Sequence, residues 1–178
     1  AKSCLRYGSI IFMTDQDLDG SHIKGLGINL MDAEWQTLTQ IPNFIGFMNT
    51  PILKARKGSQ VLVFYNEGEY QAWKATASNA KSWEVKYYKG LGTSTGKEFR
   101  EYFTAKKIVY FRSTGPESHA AIDMVFNKKR ASDRKLWLEG YNSTTYLDTS
   151  QDSVSYQEFI DQEMFNSSQS LKIVLLCL

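Results

Sequence analysis

Residues 9–14, Ser-Ile-Ile-Phe-Met-Thr, form a short, continuous apolar run that stops abruptly in a block of acids and Gly20. Such a run predicts a buried strand of the kind found inside a parallel sheet. From Ser21 to Gln40, Ile23, Leu26, Leu30, Ala33 and Leu38 recur at mostly helical spacing. Gly25 and Gly27 weaken that helix but permit close packing on a sheet. Strand, acidic turn and helix together predict one α/β unit. Further strands are predicted over Pro51–Lys54, Gln60–Tyr65, Trp83–Tyr88 and Lys107–Arg112. Helices are predicted over Glu69–Ala77, Lys97–Thr104, Glu117–Phe126 and Ala131–Glu139, and Gly90, Gly92 and Gly96 punctuate the loop after the Trp83 strand. Gly140–Ser155 is rich in Ser, Thr, Asp and Asn and reads as a loop or linker. A last helix, Tyr156–Met164, precedes a Ser-rich stretch and an apolar tail, and no internal repeat is visible.

Composition narrows the class. The chain has 178 residues, 42% hydrophobic and 13% aromatic, with only 3 Pro. That is enough apolar material for a core, which excludes disorder, collagen and low-complexity arrays. Lys plus Arg number 21 against 19 acids, a net charge of +2, which excludes a histone-like basic tail but not a local basic face. Cys4 and Cys177 make neither a C-x-x-C nor a zinc spacing, so reduced intracellular thiols are expected rather than a disulfide framework. The longest apolar run, Ile173–Leu178, is far short of the ~20 residues a membrane helix needs, so no membrane partner is expected.

The strongest chemical signal is Asp15-Gln16-Asp17-Leu18-Asp19-Gly20. Alternate carboxylates that share a small volume repel one another unless a cation offsets their charge. An EF-hand loop starting at Asp15 would need a bidentate acid where Leu26 stands, and a helix before it where a strand is predicted. Carboxylates at the C-terminal end of a buried strand are instead where open α/β sheets place their chemistry. Few oxygen ligands with open water positions suit Mg²⁺ and phosphate chemistry. Asp15 and Asp17 are then the ligands, and Asp19 either caps the following helix or joins them. Elsewhere, Lys89-Gly90-Leu91-Gly92 lets backbone N–H groups approach a phosphate, but it lacks the P-loop spacing, so nucleotide binding is not expected there. His22 is read as capping or packing, and Glu67 and Glu69 as a turn and helix start.

Two longer stretches carry a resemblance. Thr14–Gly25, Thr-Asp-Gln-Asp-Leu-Asp-Gly-Ser-His-Ile-Lys-Gly, and Val85–Thr95, Val-Lys-Tyr-Tyr-Lys-Gly-Leu-Gly-Thr-Ser-Thr, resemble the Toprim domain of eukaryotic-type DNA topoisomerase II. The similarity continues through Arg112–Glu117, Asp133-Arg134-Lys135 and Tyr156–Asp161, in the family's order and spacing. The resemblance implies an α/β Toprim fold, a Rossmann-like parallel sheet flanked by helices with an α+β embellishment, leading into an incomplete winged-helix region. It implies residues 1–130 as a partial Toprim domain, 131–164 as the start of the DNA-gate region, and 165–178 as a divergent tail. It also implies that Asp15, Asp17 and Asp19 hold Mg²⁺, with Mn²⁺ or Ca²⁺ as substitutes, and that Lys89, Arg134 and Lys135 contact duplex DNA.

Such enzymes cut both strands of a duplex with tyrosines, pass a second duplex through using ATP, and reseal. The family's general acid/base glutamate would precede Ala1 and its nucleophilic tyrosine would follow this sequence, so no catalytic residue is assigned here. ATP binding and the homodimer are expected of the parent enzyme only, and the chain alone is expected to be inactive. A nuclear location is implied by the cellular enzymes, and a cytoplasmic one by viral relatives. Two rival readings are a catalytically inactive truncated Toprim module that binds DNA or a partner subunit, and a primase or small Toprim nuclease. The Lys-Gly-Leu-Gly segment argues against the second.

Overall fold

The computed structural model describes residues 5–140 and 146–166. The four-stranded main sheet has the order β1-β2-β6-β7, formed by β1 (Ile10–Phe12), β2 (Ile45–Met48), β6 (Ile108–Arg112) and β7 (Ser153–Ser155). β1/β2 and β6/β7 pair parallel while β2/β6 pair antiparallel, so the sheet is mixed. A separate antiparallel sheet, β4-β3-β5, comprises β3 (Leu53–Lys57), β4 (Gln60–Phe64) and β5 (Glu84–Tyr87). This is the α+β embellishment expected from the sequence.

Helix α1 (Leu18–Thr39) starts earlier than its apolar periodicity predicts, because Asp17 caps it: Asp17 Oδ1 accepts the Gly20 N–H at 2.7 Å. That bond satisfies one of the donors every helix start leaves open. The helix kinks at Trp35, whose φ/ψ of −141°/54° is not helical. Gly27 lies against the Phe12 ring of β1, the close sheet packing expected of it, whereas Gly25 lies against Met164. The other helices follow the predicted segments: α2 (Glu67–Thr76), α3 (Gly96–Ala105), α4 (Pro116–Phe126) and α5 (Ala131–Glu139). Asn66 caps α2 by accepting the Glu69 N–H at 2.8 Å, so Glu67 and Glu69 do open a helix. The last helix, α6, is an α-turn over Tyr156–Glu158 that widens into a π-helix over Phe159–Met164.

The core lies between the main sheet and α1, α4 and α6. Phe111 packs on Phe47, Tyr156 and Phe159 with ring centroids 5.4, 5.3 and 5.2 Å away. All four rings are buried, each contributing roughly 1.5–3 kcal/mol by leaving water. Residues 131–164, read from the sequence as the approach to another region, therefore include part of this core: β7 extends the main sheet and α6 seals it. Two strands escape the sequence pattern. β2 is a four-residue run of Ile, Gly, Phe and Met, every position buried, with no alternation to mark it. β7 lies in a polar Ser-rich stretch and buries Val154 through pairing with β6. Cys4, Cys177 and the tail beyond Asn166 lie outside the described residues; among the described residues no helix is long and apolar enough to cross a membrane.

Candidate metal and nucleic-acid site

The acidic turn leaves β1 and enters α1, and the glycine-punctuated loop leaves β5 and enters α3. Although far apart in sequence, the two meet. The Leu91 backbone N–H donates to Asp15 Oδ1 at 2.6 Å. Gly90 is in extended backbone, and a Cβ there would stand 2.7 Å from Asp15 Oδ2. A side chain at that position would push the Asp15 carboxylate aside. On the other side of the turn the constraint is firmer, because a Cβ on Gly20 would come within 1.8 Å of the fixed Asp15 carbonyl oxygen. Asp15 is thus half-buried and gripped from two directions, while Asp17 and Asp19 are exposed.

The three acids are spread along the turn: Asp15 lies before the helix, Asp17 caps it and Asp19 stands in its first turn. Among the described residues no group of three His, Cys, Asp or Glu side chains is arranged to hold a metal. Asp17, not Asp19, is the helix cap, and Asp19 already belongs to the first turn of α1. The chemistry that fits Mg²⁺ is narrower: Asp15 and Asp17 are hard oxygen donors, each holding one backbone N–H on Oδ1. Mg²⁺ sites of one or two carboxylates completed by water and substrate phosphate need no more protein than this. His22, half-buried behind the turn, has its pKa lowered by burial, with the nearby Asp19 charge working in the opposite sense.

Of the three basic residues, Lys89 and Lys135 are exposed and Arg134 is not. Arg134 Nη1 donates to the carbonyl oxygens of Met124 at 3.2 Å and Asn127 at 2.6 Å. Those groups lie at the C-terminal end of α4, where helix carbonyls lack intrahelical partners. With its residue only 3% exposed, Arg134 ties α5 to α4 through these two bonds.

Sequence reasoning passed over two features beside the site. Lys24, buried on α1, pairs with Glu163 of α6, which also accepts the Ser21 hydroxyl at 2.7 Å. The Lys24 ammonium stands 4.6 Å from the centre of the Phe47 ring, so charge pairing and cation–π attraction together offset its burial. A cleft of about 410 Å³ opens beside the turn, lined among others by Gln16, Asp17, Asn49, Tyr65, Glu67 and Glu163. Only a lysine at helical spacing from the acidic turn could have signalled Lys24, and nothing in one sequence pairs it with Glu163.

A third feature braces the loop. Glu98, buried on α3, accepts the Thr95 N–H at 2.7 Å and Lys86 Nζ at 3.0 and 3.1 Å, and it also accepts the Tyr88 hydroxyl. Burial alone would raise its pKa, but the bonds from Thr95, Tyr88 and Lys86 outweigh that and hold it at about 2. For Tyr88, burial and the Glu98 carboxylate both push the phenol well above its ordinary value.

The chain is similar to known proteins in sequence and in fold. The family model for the C-terminal associated domain of TOPRIM matches residues 48–171. The chain is 46% identical to a DNA topoisomerase 2 of Plasmodium falciparum over 167 residues. It is 42% identical to human DNA topoisomerase 2-alpha over 187 residues. Each alignment covers 93% of this chain and 12% of the relative, so the chain spans about an eighth of those proteins. A crystal structure of the Plasmodium falciparum topoisomerase II DNA-binding, cleavage and re-ligation domain superposes with a TM-score of 0.90 at 44% identity. That match covers 96% of this chain and 23% of the other. The chain therefore belongs to the TOPRIM-associated domain family, in the form carried by eukaryotic-type DNA topoisomerase 2.

Proposed function

We propose that this chain supplies the Mg²⁺-facing acids and part of the DNA-backbone surface of an ATP-dependent type II DNA topoisomerase, for transient double-strand cleavage and religation. The observation that carries this reading is the Leu91 N–H bond to Asp15, which joins the acidic turn to the glycine loop. Asp15 and Asp17 would hold the metal, with Mn²⁺ or Ca²⁺ as substitutes, and Asp19 would contribute through water. Bound Mg²⁺ would offset the negative charge that builds on a scissile phosphate. The chain's own part is to hold the acids in place: Leu91 and Gly20 each fix one carboxylate through a backbone N–H. Lys89 and Lys135 would meet phosphates of duplex DNA, positioning it without reading sequence. ATP and the homodimer belong to the parent enzyme, which works in the nucleus, or in cytoplasm if it is viral.

The test transplants residues 5–166 into a eukaryotic DNA topoisomerase 2 at the aligned positions and measures relaxation of supercoiled plasmid. The chimera should be active with Mg²⁺, and Asp15→Asn should reduce its rate about a hundredfold or more, as loss of a transition-state electrostatic group does. An active chimera that keeps its rate with both Asp15→Asn and Asp17→Asn would rule out the metal role. An inactive chimera whose segment still binds duplex DNA in EDTA would favour the binding-only module.

A further inference from the structure

The loop that reaches Asp15 begins at Lys89 and ends at Ser94, and a single carboxylate touches the residues on either side of it. Glu98 Oε1 accepts the hydroxyl of Tyr88, the residue just before the loop. Glu98 Oε2 accepts the backbone N–H of Thr95, the residue just after it, at 2.7 Å. The Thr95 hydroxyl closes the same contact from Oγ1 at 3.0 Å, and the Glu98 N–H returns a bond to it at 3.3 Å. Within the loop the chain is tightly turned: the Thr93 N–H and hydroxyl both donate to the Gly90 carbonyl, at 3.0 and 2.7 Å. The Ser94 N–H donates to the Leu91 carbonyl at 3.1 Å. A loop so turned, with its two flanks joined through one group, has little freedom left to move Leu91.

The carboxylate at this junction is only 7% exposed and is surrounded by cations: Lys86 within hydrogen-bonding distance and Lys54 at 4.0 Å. Lys54 is itself buried and lies over the Tyr88 and Tyr102 rings, at 5.6 and 5.4 Å from their centres. A capping box alone needs neither a tyrosine just past the end of β5 nor a buried lysine from β3. The surplus contacts tie α3 both to the end of β5, through Lys86 and Tyr88, and to β3, through Lys54.

We propose that Glu98 is a positioning residue which clamps both flanks of the Lys89–Ser94 loop and thereby sets the Leu91 N–H against Asp15. The inference deepens the metal reading of Asp15 and rests on it only for its functional consequence. Breaking the clamp should release the Leu91 amide first, and loosen Asp15 with it.

The experiment uses the full chain with two conservative variants, Glu98→Gln and Tyr88→Phe, and Asp15→Asn as a reference. Glu98→Gln keeps an acceptor for Thr95, and Tyr88→Phe removes only the hydroxyl, so the second variant decides should the first fail to fold. Amide hydrogen exchange by ¹⁵N NMR should show the Leu91 amide exchanging about tenfold faster in both variants, with β2 amides such as Phe47 within about twofold of wild type. Mn²⁺, titrated as a paramagnetic probe, should bind about tenfold more weakly to both. An unchanged Leu91 amide, or equal acceleration at Leu91 and across β2, would overturn the clamp. A loosened Leu91 with wild-type Mn²⁺ affinity would overturn its positioning role. Mn²⁺ binding that survives Asp15→Asn would count against the metal reading alone, leaving the amides to judge the clamp.

Discussion

Asp15 and Glu98 show how much of the site is decided by single groups in unlike surroundings. Asp15 is held by main chain on both sides, and a methyl group at Gly20 would meet its carbonyl at 1.8 Å. Gly20→Ala should therefore cost about 3 kcal/mol or more in urea unfolding, since fixed backbone cannot yield as a side chain can. Glu98 sets a pH dependence. Its folded pKa, near 2, lies below the ordinary 4.5, so the stability it contributes is fully present above about pH 4.5 and is lost as pH falls toward 2. Urea midpoints measured between pH 5 and 2.5 should fall for the wild type, and Glu98→Gln should flatten that slope. An equal slope in the variant would show that other carboxylates carry the acid sensitivity.

Elements are joined here by a few polar caps. Arg134 donates to the carbonyls of Met124 and Asn127 and so joins α5 to the end of α4. Arg134→Met should lower stability by about 2 kcal/mol, as expected for lost charge-assisted bonds to carbonyls. The same change should leave the salt dependence of duplex binding untouched. Lys89→Ala and Lys135→Ala should do the reverse: little change in stability, and each a fall of about one in the slope of log affinity against log salt. Fluorescence anisotropy with a short duplex, alongside urea unfolding, separates the two classes. A full unit lost from the slope in Arg134→Met would restore the phosphate contact that its burial argues against.

On the scale of the whole molecule, the main sheet and α6 form one core, so the C-terminal stretch carries stability for the site at the other end of the chain. Phe159 is fully buried, packing on Phe47 and Phe111, and Glu163 in the same helix pairs with Lys24 just behind the acidic turn. Phe159→Ala should cost about 3–5 kcal/mol in urea unfolding. Glu163→Gln, which leaves Lys24 buried without its counter-charge, should cost about 3 kcal/mol or more. Loss of less than half that amount would mean that the Phe47 ring and water suffice to hold the ammonium.

The sequence by itself determined the local elements and the chemical vocabulary of the site. Apolar periodicity, the acids before α1 and the turn signals located most of the helices and strands, because those depend on neighbours in the chain. The acidic turn and the Lys-Gly-Leu-Gly loop were legible as separate motifs for the same reason. β2 and β7 were not legible, since a short run with Gly46 or a Ser-rich stretch becomes a strand only when β6 offers it hydrogen bonds on the proper side. Only the tertiary structure decided that Leu91 meets Asp15, that Arg134 turns inward to α4 while Lys135 faces out, and that Lys24 finds Glu163. Those outcomes depend on which distant groups lose their water together, and burial of that kind is a property of the packed chain rather than of any stretch of it.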